Sequence, residues 1–425
     1  MRVAREALSA NSALLFGMAL LTLGAGLQAT LLGVRATLDG FSTFVTGTVM
    51  ASYYVGFVVG SRAAPALVKR VGHIRVFAAL TSTAAATILV QGVFVGAWQW
   101  GLLRAVSGVC LAGIYVVAES WLNDRADRRS RGVLLALYMA VIYVGLGSGQ
   151  LLLNLADPVG YELFILIGVL ISLAAVPMAL TAQRAPEFAL PRRVSFRELL
   201  AISPLGAAGA VFSGATAGTL FSVGPVYAAS SGLDTAAVAT FMASSILPAV
   251  VLQLPLGRLS DRVDRRTVLI AIAVTAALAA AAASRLPAGS PVFFFAVAAY
   301  GGLSLTTYAV CLAHVNDHLQ PAQMVAASAT VLLANGIGSV LGPIVVSGAM
   351  QLKGPGAFFG SIIVLHAVFA LYAAWRMRRA GAVPSPDKTR FVSAPPQVAP
   401  TGRLAVPEAK AADAAPEVEP SDAAS

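Results

Sequence analysis

Charged residues are scarce in this sequence. Asp, Glu, Lys and Arg make up 11% of its 425 residues, while hydrophobic residues make up 58%. Soluble domains carry about 25% charged residues, which cover their surface in water. The composition therefore excludes an ordinary soluble protein and indicates one that crosses a lipid bilayer many times.

Cysteine is rarer still. Cys110 and Cys311 both fall in apolar runs, where a free thiol behaves as a small hydrophobic group, so no disulfide framework is expected. No segment matches the nucleotide-binding pattern G-x-x-x-x-G-K-[ST], which argues against an ATP-driven pump. His314 and His318 flank Asp317 at a spacing that metal sites also use, but two histidines and an acid at a helix end usually hold no metal. We expect no metal, no cofactor and no enzymatic activity.

Long apolar runs are abundant. A helix needs about 20 apolar residues to cross a bilayer, and runs of about that length occur twelve times. The first run follows Arg2 and Arg5 and is long for the apolar part of a signal peptide, so we assign it as the first span. The predicted spans are 12–34, 44–64, 76–95, 99–122, 132–155, 161–181, 203–229, 235–256, 267–285, 290–313, 323–349 and 355–377.

Basic residues are concentrated in alternate loops between these runs. The net charge of +10 could suggest a nucleic-acid partner, but an excess of Lys and Arg in every second loop instead marks the cytoplasmic side of a membrane protein. Such loops lie, for example, at 62–75, 125–131 and 258–266. Because the number of spans is even, we expect both termini to be cytoplasmic. We expect the protein to lie in the lipid bilayer and to bind no nucleic acid.

The two halves of the sequence repeat one another. Matching residues lie 192 positions apart before the hairpins and 193 positions apart after them. Several landmarks in the same order are hard to obtain by chance, so the chain is a duplicated membrane unit. The matches include Met50-Ala51-Ser52 with Met242-Ala243-Ser244, Tyr115 with Tyr308, and Asn123-Asp124 with Asn316-Asp317.

The repeat and the loops predict four regions. Residues 1–181 form an N-terminal six-helix bundle, 182–202 a cytoplasmic central loop, and 203–379 a C-terminal six-helix bundle. Residues 380–425 are rich in Ala, Pro, Glu and Asp without periodicity, a composition that cannot bury a core. We therefore expect a disordered cytoplasmic tail that is solvated filler rather than a regulatory element.

A short cationic segment separates two apolar runs in each half. The second copy runs from Gly257 to Arg266, and we expect it to break the helix and form a hairpin. The first copy, from Pro65 to Arg75, differs most at Lys69, which aligns with an aspartate of the second copy.

The second copy resembles the hairpin of the major facilitator superfamily, which follows the pattern G-x-x-x-D-[RK]-x-G-[RK]-[RK]. This sequence differs from the pattern only at Asp264, which replaces a glycine. Arg104 and Gly108 are similar to the family's R-x-x-x-G element, and the sequence from Glu119 to Asp124 resembles the bacterial YcaD-like branch. The resemblance implies an all-α membrane protein with twelve transmembrane helices in two pseudo-symmetric six-helix bundles. It also implies a secondary transporter of the bacterial inner membrane that moves a small-molecule substrate by alternating access.

In the family, such hairpins are thought to hold the two halves together on the cytoplasmic side. Asp261 at the start of the fifth helix near Gly132 would favour that contact by about 0.3–1 kcal/mol, because a carboxylate is attracted to a helix N-terminus. Alternatively, the hairpin charges only set the membrane orientation. The expected cytoplasmic gate residues are Arg70, Asp124, Asp261, Arg262, Arg265, Arg266 and Asp317, with Asp124 and Asp317 as partners of the hairpin arginines.

Ionisable side chains inside membrane spans are costly and often functional, and only a few lie inside the predicted spans. Arg104 could receive an anionic or polar substrate or couple to a proton, or it could tie helices together through carbonyl groups. Glu119 could carry the coupling proton. Its place near the cytoplasmic end favours instead a gate ion pair with Arg70, Arg75 or Arg125.

Paired glycines predict close contacts between helices. Gly145 and Gly149 lie in the fifth predicted span, and Gly338 and Gly342 lie in the eleventh. Gln150 stands where antiporters of the family have a proline, so the resemblance gives little support to antiport.

Uncharged polar and aromatic residues in the spans supply the remaining candidates. Transporter sites lie near the bilayer midplane where the repeats meet, and we expect Gln28, Tyr143, Tyr308 and Asn335 to bind substrate together with Arg104. This aromatic lining and the scarcity of interior charge slightly favour export of a small organic compound. A proton is the first expected coupling ion, because Glu119 and Arg104 are the interior charge candidates, and we expect a monomer. Uptake of a small polar metabolite, or a membrane sensor that binds without transporting, are the alternatives. The wider set of such residues includes Tyr53, Tyr54, Tyr138, Gln150, Tyr227, Gln253, Thr306 and Thr307.

Overall fold

A computed structural model of the chain describes residues 11–125, 131–181 and 195–379, together with Lys388, Thr389 and Phe391. Within these ranges, the side chains at positions 124, 125, 131, 132, 321, 322 and 325 are not described. All regular secondary structure in the described part of the chain is helical.

Twelve helical spans are long and apolar enough to cross a membrane, which confirms the predicted number. The first six are Ser12–Leu38, Thr43–Val71, His73–Val93, Ala97–Asn123, Val133–Leu155 and Glu162–Ala179. The second six are Pro204–Ser230, Thr235–Arg262, Arg265–Ala283, Pro291–Asn316, Ala326–Lys353 and Ala357–Arg379. We number them as the first to twelfth membrane helices.

Several helices extend beyond these spans or are interrupted within them. The helix of the fourth span continues to Arg125, that of the fifth begins at Arg131, and that of the eleventh begins at Pro321. The fifth helix ends in a 3-10 turn, Leu152–Leu155. The sixth span consists of Glu162–Leu173 and Ala175–Ala179, and the eighth of Thr235–Ile246 and Pro248–Arg262. Pro248 has no backbone N–H, which suits the first position of a helix and interrupts the hydrogen-bonded ladder of the eighth span.

The two hairpins are much shorter than the sequence suggested. The prediction that the helix breaks at Gly257 is wrong, because it continues to Arg262 and the next helix begins at Arg265. Asp264 caps that next helix, its carboxylate accepting a hydrogen bond from the Arg266 backbone N at 3.0 Å. In the first half the helix likewise runs through Pro65 and stops only before Gly72, whose φ of +93° favours glycine.

The predicted central loop is partly helical. Residues 182–194 lie outside the described part of the chain, but Phe196–Ile202 forms a short helix. Ser195 and Glu198 begin it with a capping box: the Ser195 hydroxyl accepts from the Glu198 backbone N, and the Glu198 carboxylate accepts from the Ser195 backbone N. Interactions of the Glu198 carboxylate with the backbone N–H and the hydroxyl of Ser195 hold the pKa of this carboxyl below its ordinary value, because they favour the charged form.

Helix packing follows the same plan in both halves. The first helix packs on the fifth, the second on the fourth and the third on the sixth; the seventh packs on the eleventh, the eighth on the tenth and the ninth on the twelfth. The halves meet where the second helix contacts the eleventh, the fifth contacts the eighth and the first contacts the seventh. The sequence repeat is thus a structural repeat.

Glycines let the paired helices touch through their backbones. A Cβ at Gly149 would overlap the Leu23 carbonyl oxygen, and Cβ atoms at Gly338 and Gly342 would overlap backbone carbonyl oxygens of the seventh helix. A Cβ at Gly145 would overlap the hydroxyl of Thr22. The predicted close approach at these four glycines is confirmed, with the first helix facing the fifth and the seventh facing the eleventh.

Gly108→Ala should destabilise the protein by about 1–3 kcal/mol, since the new methyl group would overlap the Tyr53 carbonyl oxygen and force the second and fourth helices apart. Gly101→Ala is the matched control, because a Cβ at this position of the same helix meets nothing within 4 Å. Alanine also favours helix over glycine, so the control should be neutral or more stable. Thermal unfolding in detergent would measure both, and equal melting temperatures would contradict the packing argument.

Candidate functional site

Arg104 is a buried cation in the fourth helix, 5% exposed. Its guanidinium carbon lies 4.6 Å from the ring centroid of Tyr53 on the second helix, a cation–π contact. Its Nε has no hydrogen-bond partner among the described residues. Tyr53 stands edge-on to Tyr54, whose side chain lies near Ser222 of the seventh helix. Arg104 is therefore held by aromatic rings close to the contact between the halves.

A row of aromatic rings continues from Arg104 towards the C-terminal end of the fourth helix. The Phe57 ring centroid lies 6.0 Å from that of Tyr53 and 6.3 Å from that of Tyr115. Tyr115 lies one helical turn before Glu119 on the same side of the fourth helix. At 1.5 Å per residue, Arg104 and Glu119 are about 22 Å apart along the helix axis. The row thus connects Arg104 with Glu119.

Glu119 is 3% exposed and lies where the halves meet. Its carboxyl group is within electrostatic range of the hydroxyls of Tyr115, of Tyr138 on the fifth helix and of Tyr308 on the tenth. No cation pairs with Glu119 in the part of the chain that the structure describes.

The expected ion pair of Glu119 with Arg70 or Arg75 is not formed, because both arginine side chains are exposed to solvent. The side chain of Arg125, the third partner considered, lies outside the described residues. Among the described residues, the polar neighbours of Glu119 are therefore tyrosine hydroxyls rather than cations.

The four predicted substrate-binding residues are all buried but do not all have the same contacts. The Tyr143 hydroxyl donates to the Leu305 carbonyl oxygen at 3.4 Å and links the fifth helix to the tenth. Asn335 Nδ2 donates to the Ala210 carbonyl oxygen at 3.3 Å and links the eleventh helix to the seventh. Gln28 Nε2 and the Tyr308 hydroxyl have no hydrogen-bond partner among the described residues. The last two are therefore the ones with polar atoms left for a substrate.

Sequence reasoning passed over Tyr115 and gave Tyr53 and Tyr138 no specific role. The repeat carried a usable signal, because Tyr115 aligns with Tyr308 at a separation of 193 residues, and the structure places both hydroxyls near Glu119.

Three of the predicted gate residues of the second half, Arg265, Asp261 and Asp317, form a compact cluster with Ser260, which we call the Arg265 cluster. Arg265 Nε lies 2.7 Å from Asp317 Oδ2, and Arg265 Nη1 lies 3.1 Å from Asp261 Oδ1 and 2.8 Å from Ser260 Oγ. The side chains of Arg265 and Asp317 are each only 1% exposed. This cluster fixes the turn after the eighth helix to the end of the tenth.

The other predicted gate residues lie apart from this cluster. Arg266 pairs with Asp264 at 2.7 Å. Burial alone would raise the pKa of the Asp264 carboxyl, but hydrogen bonds from the side chain and backbone of Arg266, with its positive charge, hold that pKa below its ordinary value. Arg262 and Arg70 are exposed, and the side chain of Asp124 lies outside the described residues.

The Asp261 carboxylate accepts hydrogen bonds from Arg265 and from the Phe391 backbone N in the tail. The described residues therefore show other partners for Asp261 than the start of the fifth helix, where the side-chain positions 131 and 132 are not described.

The first half has a different arrangement at the equivalent position. His73 lies 192 residues before Arg265 and is also buried. Its Nε2 lies 2.9 Å from Ser120 Oγ, and its ring stands edge-on to Trp121. The fold is therefore repeated, while the position of Arg265 is taken here by a histidine that contacts Ser120 and Trp121 of the fourth helix.

Part of the predicted disordered tail makes contacts in the structure. Lys388, Thr389 and Phe391 all contact the hairpin of the second half, and Thr389 is 1% exposed. For these three residues the prediction of a solvated tail is wrong, since composition does not reveal hydrogen bonds to residues 72 or more positions away. The rest of the segment 380–425 lies outside the described residues.

Twelve membrane helices in two repeated bundles, meeting at a buried acid and a buried arginine, define a polytopic membrane protein of the secondary-transporter class. The family described as Major Facilitator Superfamily matches residues 14–247 and again residues 206–410. The chain belongs to this superfamily, as its hairpins suggested.

The comparisons include curated relatives and solved structures. The chain is 30% identical over 375 residues to the "Uncharacterized MFS-type transporter YcaD" of Escherichia coli (strain K12 / DH10B), covering 88% of this chain and 96% of that protein. A crystal structure of a point mutant of the nucleoside transporter NupG superposes with a TM-score of 0.75 at 14% identity, covering 86% of this chain and 99% of that one. An inward-facing, occupied structure of a bacterial homolog of the human lysosomal transporter Spinster gives 0.69 at 16% identity, covering 89% and 98%. The predicted fold class is confirmed.

Proposed function

We propose that this secondary transporter carries a small organic solute across the bacterial inner membrane and couples its movement to protons through Glu119. The two halves, residues 1–181 and 203–379, would alternate access around their contact, with both termini in the cytoplasm. The supporting observation is the position of Glu119, buried between helices of both halves without a cation among the described residues. Export is slightly favoured, because the surroundings are aromatic and contain few charges.

Uptake of a small polar metabolite is the second candidate, and Arg104 supports it. A buried guanidinium against Tyr53, with its Nε lacking a partner among the described residues, suits a substrate with an anionic or planar polar group. Net flux in everted membrane vesicles separates the candidates, since export from the cell becomes accumulation inside such vesicles.

The Arg265 cluster and the exposed arginines around it are the proposed cytoplasmic gate. Asp261 and Asp317 hold the hairpin to the tenth helix, while Arg70 and Arg262 are exposed and available for contacts between the halves. Arg266 and Asp124 belong to the same proposed gate.

Substrate identity is best sought with a thermal-shift screen of the purified protein against metabolites and drugs, because a ligand that binds only the folded state raises its melting temperature. Hits are then tested for flux in liposomes with an imposed pH gradient. Flux that follows the gradient supports the proposal. Binding without any flux in either direction would reject it in favour of a membrane sensor.

Arg104→Gln should reduce flux of an identified substrate at low concentration by about tenfold or more, because a hydrogen bond to a charged group contributes about 1.5–3 kcal/mol. Arg104→Lys should retain part of the flux, since it keeps the charge but not the planar fork. The matched control is Arg285→Gln, at an exposed arginine after the ninth helix. If Arg104→Gln transports as well as this control, Arg104 has only a packing role.

A further inference from the structure

The cytoplasmic face of the second half carries a groove between the hairpin and the end of the tenth helix. Its polar wall is the Arg265 cluster, and its apolar floor lies at Gly257 of the eighth helix. We propose that this groove is a binding site for an extended peptide segment, and that the chain's own tail segment, Lys388 to Phe391, occupies it.

Asp317 provides the first part of the site. Its Oδ1 accepts hydrogen bonds from the backbone N and from the hydroxyl of Thr389, both at 2.9 Å. The Thr389 carbonyl oxygen in turn accepts a hydrogen bond from Arg265 Nη2. Every polar group of Thr389 thus has a partner in the Arg265 cluster, which accounts for a threonine side chain being buried in a tail of otherwise hydrophilic composition.

Asp261 provides the second part. Its Oδ1 accepts a hydrogen bond from the Phe391 backbone N at 2.9 Å. In an extended chain the N–H groups of alternate residues point to the same side, so the spacing of Thr389 and Phe391 matches the two carboxylates. The site thus recognises backbone N–H groups two residues apart, a feature of extended peptides rather than of helices.

The apolar part of the site selects an aromatic residue. A Cβ at Gly257 would overlap the ring of Phe391, so the absent side chain of this glycine makes room for that ring. Phe391 also packs against the two hydrophobic clusters of the second half that lie beside the hairpin. The glycine that sequence reasoning took for a helix breaker therefore lies inside a continuous helix and forms a cavity for the tail.

Lys388 completes the contact at the other end. Its Nζ donates to the Val263 carbonyl oxygen at 2.7 Å. Val263 ends the eighth helix, where carbonyl groups lack partners within the helix and accept from a lysine readily. The site accordingly fits a cation, a hydroxyl residue and an aromatic residue, with one position between the last two.

The contacts described above identify the chain's own tail as the occupant of the groove. Only eight residues separate Arg379, the end of the twelfth helix, from Lys388. Such a short tether gives an effective local concentration of about millimolar, so even a weak site is filled from within the same molecule. The bound segment contacts both the turn between the eighth and ninth helices and the end of the tenth helix. It therefore stiffens the cytoplasmic end of the second half. The inference concerns binding alone and does not depend on the proposed substrate or coupling.

Tryptic cleavage of the full-length purified protein tests this proposal, since trypsin cuts after Lys388 and after Arg390. A free synthetic peptide of residues 384–394 gives the unprotected rate. In the intact protein we expect cleavage after Lys388 to be at least about tenfold slower than in the peptide, because local release must precede cutting. In the double variant with Thr389→Val and Phe391→Ala, cleavage after Lys388 should be at least about tenfold faster than in the parent and thus closer to the rate of the peptide.

Thr389→Ser is the matched control, because it keeps the hydroxyl that donates to Asp317, and its cleavage rate should stay within about twofold of the parent. Equal rates in the intact protein and the free peptide would overturn the proposal, as would a double variant cut no faster than the parent. Protection that rises with protein concentration would assign the groove to the tail of a second copy and overturn occupancy within one chain. Since the readout is proteolysis, its failure is distinct from any failure of transport.

Discussion

Asp317→Ala should lower the free energy of unfolding by about 3 kcal/mol or more, one of the two largest effects we expect. Arg265 and Asp317 are both 1% exposed and lie 2.7 Å apart. Removing one member of a buried ion pair leaves the other charge buried without compensation, which costs about 3–5 kcal/mol. Asp261 stays within 3.1 Å of Arg265 but is 32% exposed, so it offsets only part of the loss. Denaturant-induced unfolding in detergent, followed by tryptophan fluorescence, measures the change.

Asp39→Ala is a control with the same bond length but different burial. Arg35 Nε lies 2.7 Å from Asp39 Oδ2, and these side chains are 11% and 21% exposed at the end of the first helix. Asp39 is partly exposed, and Arg35 keeps its hydrogen bonds to the carbonyl oxygens of Pro158 and Val159, so this variant should lose much less stability than Asp317→Ala. Replacing Arg265 by Met and Asp317 by Leu together should recover much of the stability, because no charge is left buried. Similar losses in Asp317→Ala and Asp39→Ala would contradict our account.

The length of apolar runs determined the number of spans, because bilayer thickness is a fixed external ruler. The ends of the helices were less predictable. The cationic segments that begin at Pro65 and Gly257 were expected to lie between helices, yet both residues lie within helices. At Gly257 the missing side chain makes room for Phe391, which is 134 residues away in the sequence and could not be anticipated locally.

In the candidate site, too, some residues could be predicted from the sequence and others could not. Arg104 and Glu119 were recognisable because charge inside a span is rare and costly. Their neighbours Tyr53, Tyr138 and Tyr308 come from three other helices, and sequence spacing carries no information about which face each helix turns towards the fourth. Asp317 was expected to pair with a hairpin arginine, and it pairs with Arg265. The hydrogen bond from Thr389 to the same carboxylate could not be predicted from the local sequence.

The second large effect is expected at Glu119. Glu119→Gln should abolish the dependence of transport on a pH gradient while leaving ligand binding in place, because the amide has nearly the shape of the carboxylic acid but cannot release a proton. A gradient of one pH unit stores about 1.4 kcal/mol per proton, so a transporter coupled to one proton can concentrate its substrate about tenfold. We expect that accumulation in the parent and none above equilibration in the variant. Flux into liposomes and thermal-shift binding, measured on the same preparations, give the two readouts.

Glu162→Gln provides the control, since Glu162 begins the sixth helix as an exposed side chain and its replacement should leave accumulation unchanged. Glu119→Asp keeps the titrating group on a shorter side chain and should retain coupling at a reduced rate. The variants separate two roles that burial alone does not distinguish. If Glu119→Gln still accumulates substrate along the gradient, Glu119 is a packing residue between the halves. If Glu119→Gln loses both accumulation and ligand binding while Glu119→Asp keeps both, the carboxyl group contacts the substrate, and the coupling proton must bind elsewhere or together with it.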